Sequence, residues 1–117
     1  MTEDILDPEI VQNLRDIAGD DLSFLSEMVG IYLKNSAEKI PVLDAAIRGA
    51  NWKDAMAICH GLKSSSGNLG AMRASRTYEE LEAAARDGNA TEAAKLFGEL
   101  RATLPALESA LRKLAGT

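Results

Sequence analysis

The 117 residues carry 13 Lys plus Arg against 18 Asp plus Glu, a formal net charge of −5, which leaves no basic stripe for nucleic acid. No apolar run approaches the roughly 18 residues of a membrane span. Hydrophobic residues make up 46% but aromatics only 4%, so residues 1–117 are expected to form one domain with a core of Leu, Ile, Val, Met and Ala, a composition that suits packed helices better than sheet.

The chain opens on Met1-Thr2-Glu3-Asp4, acidic where a secretion signal would begin basic, and the expected location is the cytoplasm. Asp7-Pro8 then starts a helix, with Asp at the cap and Pro in the first turn. Ile10, Val11, Leu14 and Ile17 recur at helical spacing until Gly19-Asp20 interrupts them. Asp20 or Asp21 can cap a second helix carrying Leu22, Leu25, Val29, Tyr32 and Leu33. Its stripe continues past Pro41 through Leu43, Ala46 and Ile47, and Pro41 predicts a kink or break near positions 36–39. Asn51 caps a third helix, with Ala55, Ile58, Cys59, Leu62, Ser66 and Leu69 on its apolar face and Gly70 as its stop. The fourth is expected over 73–86 with Tyr78, Leu81 and Ala85 inward, ended by Asp87-Gly88-Asn89. The fifth is expected over 91–114 through Ala94, Phe97, Leu100, Leu104, Leu107, Leu111 and Leu114, bent at Pro105. No β-alternation, repeat or linker is evident. Long helices with short loops favour an all-α, up-down antiparallel four-helix bundle, with the additional short N-terminal helix across one end. Apolar stripes satisfied internally predict a monomer.

His60 is the only histidine. At about 100° per residue, Leu62, Ser66 and Leu69 fall near 200°, 240° and 180° from it, on the core face, with Ala55 and Ile58 in the same sector. On the side of His60 lie Lys53, Met56, Ala57, Lys63, Ser64 and Gly67, so the ring should project outward among mostly short neighbours. Gly61 and Gly67 are interior helical glycines, each costing about 1 kcal/mol against alanine. Gly67, two turns below His60, would let a partner surface come close. Neutral imidazole, with an unperturbed pKa of about 6.5, is a nucleophile near neutrality. A phosphoryl group on the ring would add negative charge, and Lys63, one turn away, is placed to stabilise it, with Lys53 adding a longer-range attraction.

The competing reading of a lone helical histidine is a surface residue with no role. A zinc site is disfavoured because Cys59 and His60 point about 100° apart and no other Cys or His exists. A hydrolytic triad lacks a nucleophile with a spaced histidine base. Ser64-Ser65-Ser66 follows no strand, which argues against a phosphate loop. These serines fit tight helix contacts or bonds back to their own helix. Cys59 reads as a small buried hydrophobe, and a single cysteine makes no internal disulfide.

The stretch His60-Gly61-Leu62-Lys63-Ser64-Ser65-Ser66-Gly67-Asn68-Leu69-Gly70-Ala71 resembles the signature of histidine-containing phosphotransfer (HPt) domains, His-x-Leu-Lys-Gly-Ser-Ser-x-x-x-Gly. Chain length, helix order and the opening Ile5-Leu6-Asp7-Pro8 agree with that family. The resemblance implies a four-helix bundle with an added N-terminal helix, His60 as the phosphorylated residue, Lys63 steadying the phosphoryl oxygens and Gly67 keeping the approach open. It also implies a Gln or Glu on the next helix, bonded to the second ring nitrogen. Glu82 matches by spacing and would fix the tautomer; otherwise it is an ordinary solvated helix residue. Ser64 departs from the family's usual glycine, and its hydroxyl either crowds a partner or donates to the phosphoryl group. The implied function is a phosphorelay intermediate between response-regulator receiver domains, docked around Lys53, Met56, Ala57, Ser64 and Gly67. It would be no enzyme by itself and hold no cofactor, with Mg²⁺ on the receiver. The alternatives are the HPt module of a hybrid sensor histidine kinase, or a non-phosphorylated helical adaptor that binds receivers.

Overall fold

Each of four helix starts carries a short polar side chain that takes up an otherwise unsatisfied backbone N–H. Asp7 accepts from the Glu9 amide at 2.9 Å, Asp21 from Ser23 at 3.1 Å, Asn51 from Asp54 at 3.4 Å and Asn89 from Glu92 at 3.0 Å. A computed structural model describes residues 5–116, apart from the Leu22 side chain; the acidic opening at positions 1–4 lies outside the described residues. The helices are α1 (Pro8–Ala18), α2 (Leu22–Arg48), α3 (Trp52–Asn68), α4 (Met72–Arg86) and α5 (Ala90–Leu114), with no strand among the described residues.

Three residues join α2 to α3, α3 to α4 and α4 to α5. Such short links leave room only for antiparallel neighbours. Each helix packs on the next, and α5 returns to α2, closing a four-helix ring in which α3 and α4 share the most extensive contact. Leu25, Leu43, Leu62, Leu81, Leu100 and Leu111 are all at most 2% exposed and form the centre of the core. One polar pair lies among them, the Tyr32 and Ser66 hydroxyls sharing a 2.7 Å hydrogen bond.

The short α1 packs on α2 and reaches the α3–α4 turn, where the Asp7 amide donates to the Gly70 carbonyl at 2.7 Å. Gly70 stops α3 with φ of +82°, and a Cβ there would come within 3.3 Å of Ile10. Left-handed backbone at a non-glycine residue costs about 1–3 kcal/mol. Gly70→Ala should therefore lower the stability measured by urea unfolding by about that amount.

Of the kink or break expected near Pro41, a break does not occur, since α2 runs through it; Pro105, where a bend is expected, lies inside a continuous α5. Both prolines are exposed, as are Ala37 and Arg101, whose carbonyls lose their helical donor four residues on. Water can take up carbonyls on that side, so neither helix has to end. Some stripe residues also differ from expectation. Ile17, one turn beyond the buried Leu14, is 72% exposed. Ile58 is only partly buried, at the edge of the α3 core face. In α5 it is Ala93, not Ala94, that is buried, because Ala93 shares the i, i+3, i+4, i+7 face with Leu96, Phe97 and Leu100.

Candidate functional site

Burying Ala55, Cys59, Leu62 and Ser66 fixes the rotation of α3 and turns His60 outward, with 67% of its side chain exposed. Beside it, a Cβ on Gly61 would meet nothing within 4 Å, so the surface next to the ring is open. The other side of the ring faces α4. There Glu82, 13% exposed, brings Oε2 to 3.2 Å from His60 Nδ1 and Oε1 to 3.1 Å from Lys63 Nζ. One carboxylate thus holds both the imidazole and the ammonium.

Burial opposes ionisation of Glu82, but the Lys63 hydrogen bond and charge, aided by His60, more than offset it and hold the carboxyl below the usual range. An ionised carboxylate only accepts hydrogen bonds, so Nδ1 must be the donor. In the neutral ring the lone pair then sits on Nε2, the nitrogen away from Glu82. Cys59 offers no competing nucleophile. It is fully buried, and burial, then the Glu82 charge, pushes its thiol up to about 12.

Of the residues singled out from the sequence, His60, Lys63 and Glu82 come together. Lys63 is 27% exposed and is engaged by Glu82. Lys53, Ala57 and Ser64 are exposed on the same helix, and Met56 is partly buried against the core. The Ser64 hydroxyl donates back to the His60 carbonyl at 3.4 Å and that of Ser65 to Gly61 at 2.7 Å. The missing side chain of Gly67 is directed at α4, where a Cβ would stand 3.6 Å from Ser75 Oγ.

Besides the Lys63–Glu82 bond, two features lie outside what the sequence predicts. An open cavity of ≈ 390 Å³ lies between α2 and α3, lined by Asn35 and Lys39 of α2 and by Ala57, Ile58, Gly61 and Ser65 of α3. Ser75 donates to the Lys63 carbonyl at 3.0 Å. The signal for Ser75 was present: it precedes Glu82 by seven residues, two turns on the same helix face.

A ring of four antiparallel helices with one outward imidazole backed by a carboxylate defines a helical module built to present a histidine. The Hpt domain model matches residues 27–110, and the chain belongs to the Hpt domain family. Members of that family are phosphocarriers of two-component signalling, interacting with receiver domains and kinases. The fold is that of histidine-containing phosphotransfer protein B (HptB) from Pseudomonas aeruginosa PAO1, whose crystal structure superposes with a TM-score of 0.86 over 98% of this chain and 97% of that one, at 20% identity. No curated protein matches. No helix among the described residues is long and apolar enough to cross a membrane.

Proposed function

We propose that this Hpt domain carries a phosphoryl group on His60 Nε2, received from the aspartyl phosphate of one receiver domain and passed to another. The observation that carries the reading is the Glu82 carboxylate on Nδ1 of a ring that is 67% exposed. That contact leaves the outward nitrogen with its lone pair. In the transfer the Nε2 lone pair forms a bond to phosphorus as the bond to the aspartate oxygen breaks, and the aspartate leaves as a carboxylate. Nδ1 keeps its proton, the ring becomes cationic, and Glu82 stabilises that charge at short range. Lys63 exchanges part of its bond to Glu82 for the arriving phosphoryl oxygens, one turn along the same helix. Return transfer reverses each step.

Mg²⁺ and the acidic residues that hold it belong to the receiver, so the chain alone is inert. The receiver docks over Met56, Ala57, Ser64 and Gly67 with Lys53 at the edge, in a transient interface at or below the ~1,600 Å² standard size. A hybrid sensor kinase is the upstream source of phosphate. Incubation with a purified phosphorylated receiver should label the chain with a phosphate that is acid-labile and base-stable, as a phosphoramidate is. An acid-stable label would place the phosphate on a hydroxyl and overturn the reading.

A further inference from the structure

We infer that Ser75 is a positioning residue for the His60 site: it sets the register of α4 on α3 that brings Glu82 to the imidazole. The inference rests on the phosphohistidine reading above for its kinetic consequence, though not for its geometry.

Two contacts tie the outer seam of these helices. At one, the Ser75 hydroxyl donates to the Lys63 carbonyl at 3.0 Å and lies beside Gly67. At the other, Glu82 bridges His60 and Lys63. Seven residues separate His60 from Gly67, and seven separate Ser75 from Glu82. The helices run antiparallel, so Gly67 opposite Ser75 and His60 opposite Glu82 are the same register read two turns apart.

Gly67 makes the first contact possible. In a helix the side chain at i+4 leans back over the turn that holds the carbonyl of residue i. Without a side chain at 67, the Lys63 carbonyl stays open to a second donor besides its own helical amide. Ser75 supplies that donor from the next helix.

Leu62, Tyr78 and Leu81 fill the buried side of the α3–α4 pair, but the outer edge beside the imidazole carries small residues. Gly67, Ala71 and Ser75 are small, and small facing residues resist sliding less than interdigitated large ones do. A slip by one residue moves a helix about 1.5 Å along its axis. From 3.2 Å, that displacement takes Glu82 out of hydrogen-bond range of Nδ1. The Ser75 bond is directional and ends on backbone, so it resists this slip where a flexible lysine does not.

The test uses the full chain with Ser75→Ala. Alanine is a good helix former and removes only the hydroxyl, so far-UV circular dichroism should match the native chain. The decisive readout is the ¹⁵N spectrum of the His60 ring in the unphosphorylated protein. The native ring should show Nδ1 protonated and Nε2 not; in Ser75→Ala the two nitrogens should move toward an averaged pair of shifts. Phosphoryl acceptance from a charged receiver should fall roughly threefold to tenfold, the scale of one lost hydrogen bond. Ser75→Thr, which keeps the hydroxyl, should restore both the spectrum and most of the rate. Native ring shifts in Ser75→Ala, or a Thr variant no better than Ala, would overturn the inference. A His60→Gln chain run alongside separates the two claims. A label on that chain sinks the phosphohistidine reading, while the ring spectrum still decides the role of Ser75.

Discussion

His60→Gln should give a folded chain that takes no phosphate from a charged receiver. The native side chain is 67% exposed, and substitutions at such positions usually change stability by no more than about 0.5 kcal/mol. The Gln amide can still donate to Glu82, so the carboxylate keeps a partner on that side. Chemistry is lost because an amide nitrogen shares its lone pair with the carbonyl and does not attack phosphorus. Nothing nearby substitutes for it. The Cys59 thiol is buried and pushed up to about 12. The Ser64 and Ser65 hydroxyls are turned back onto their own helix. Lys63 is paired with Glu82, and an ammonium has no free lone pair. Label transfer on a gel, with urea unfolding as the control for folding, checks the result. Native-level labelling of a folded His60→Gln chain would show that another residue carries the phosphate.

Much of the fold was legible because its determinants are local. Asp7 and Asn51 are caps in the sequence and caps in the structure, and Gly70 ends α3 with a positive φ as a stop signal should. A break at Pro41 was one of the expected outcomes, and α2 avoids it for a tertiary reason. The cost of a helical proline depends on whether the carbonyl four residues earlier is dry or wet, and here both prolines sit on the solvent side. Ala93 rather than Ala94 was readable from the helical period, since it shares the i, i+3, i+4, i+7 face with Leu96, Phe97 and Leu100.

At the site, the outward direction of His60 followed from the position of Leu62, Ser66 and Leu69 on the helical circle, since burial of that face leaves the ring one way to point. Glu82 was reachable only through the family's spacing, because sequence periodicity places residues on a helix but not one helix against another. The bond from Lys63 to Glu82 was not foreseen at all. A four-carbon stem reaches many partners, and the choice depends on how closely α4 approaches α3. The Ser75 contact belongs to the same class: an inter-helix register is a property of the assembled pair, visible in sequence only once one anchor is known.

Glu82→Ala should slow phosphoryl acceptance by roughly tenfold, the low end of the 10–100-fold range for residues that orient a working histidine. The loss has two parts. The neutral ring no longer holds its proton on Nδ1, but the tautomers exchange freely, so this part alone only lowers the fraction of competent rings. The cation formed during transfer also loses its short-range carboxylate, which adds to the barrier. Opposing both, Lys63 is released and can meet the phosphoryl group without first leaving Glu82, which keeps the effect at the low end. Glu82→Gln separates the contributions, since its carbonyl can still accept from Nδ1 while the charge is gone; its rate should fall between native and alanine. The same substitution has a pH signature. The Glu82 carboxyl lies below its ordinary 4.5 when folded, so folding favours the ionised form. Its contribution to stability is present above that ordinary value and is lost as pH falls through the folded one. Urea midpoints of native and Glu82→Gln chains should differ near neutrality, native being the more stable, and converge in acid below 4.5. A constant gap across that range would mean that the carboxylate charge contributes nothing to holding His60 and Lys63 together.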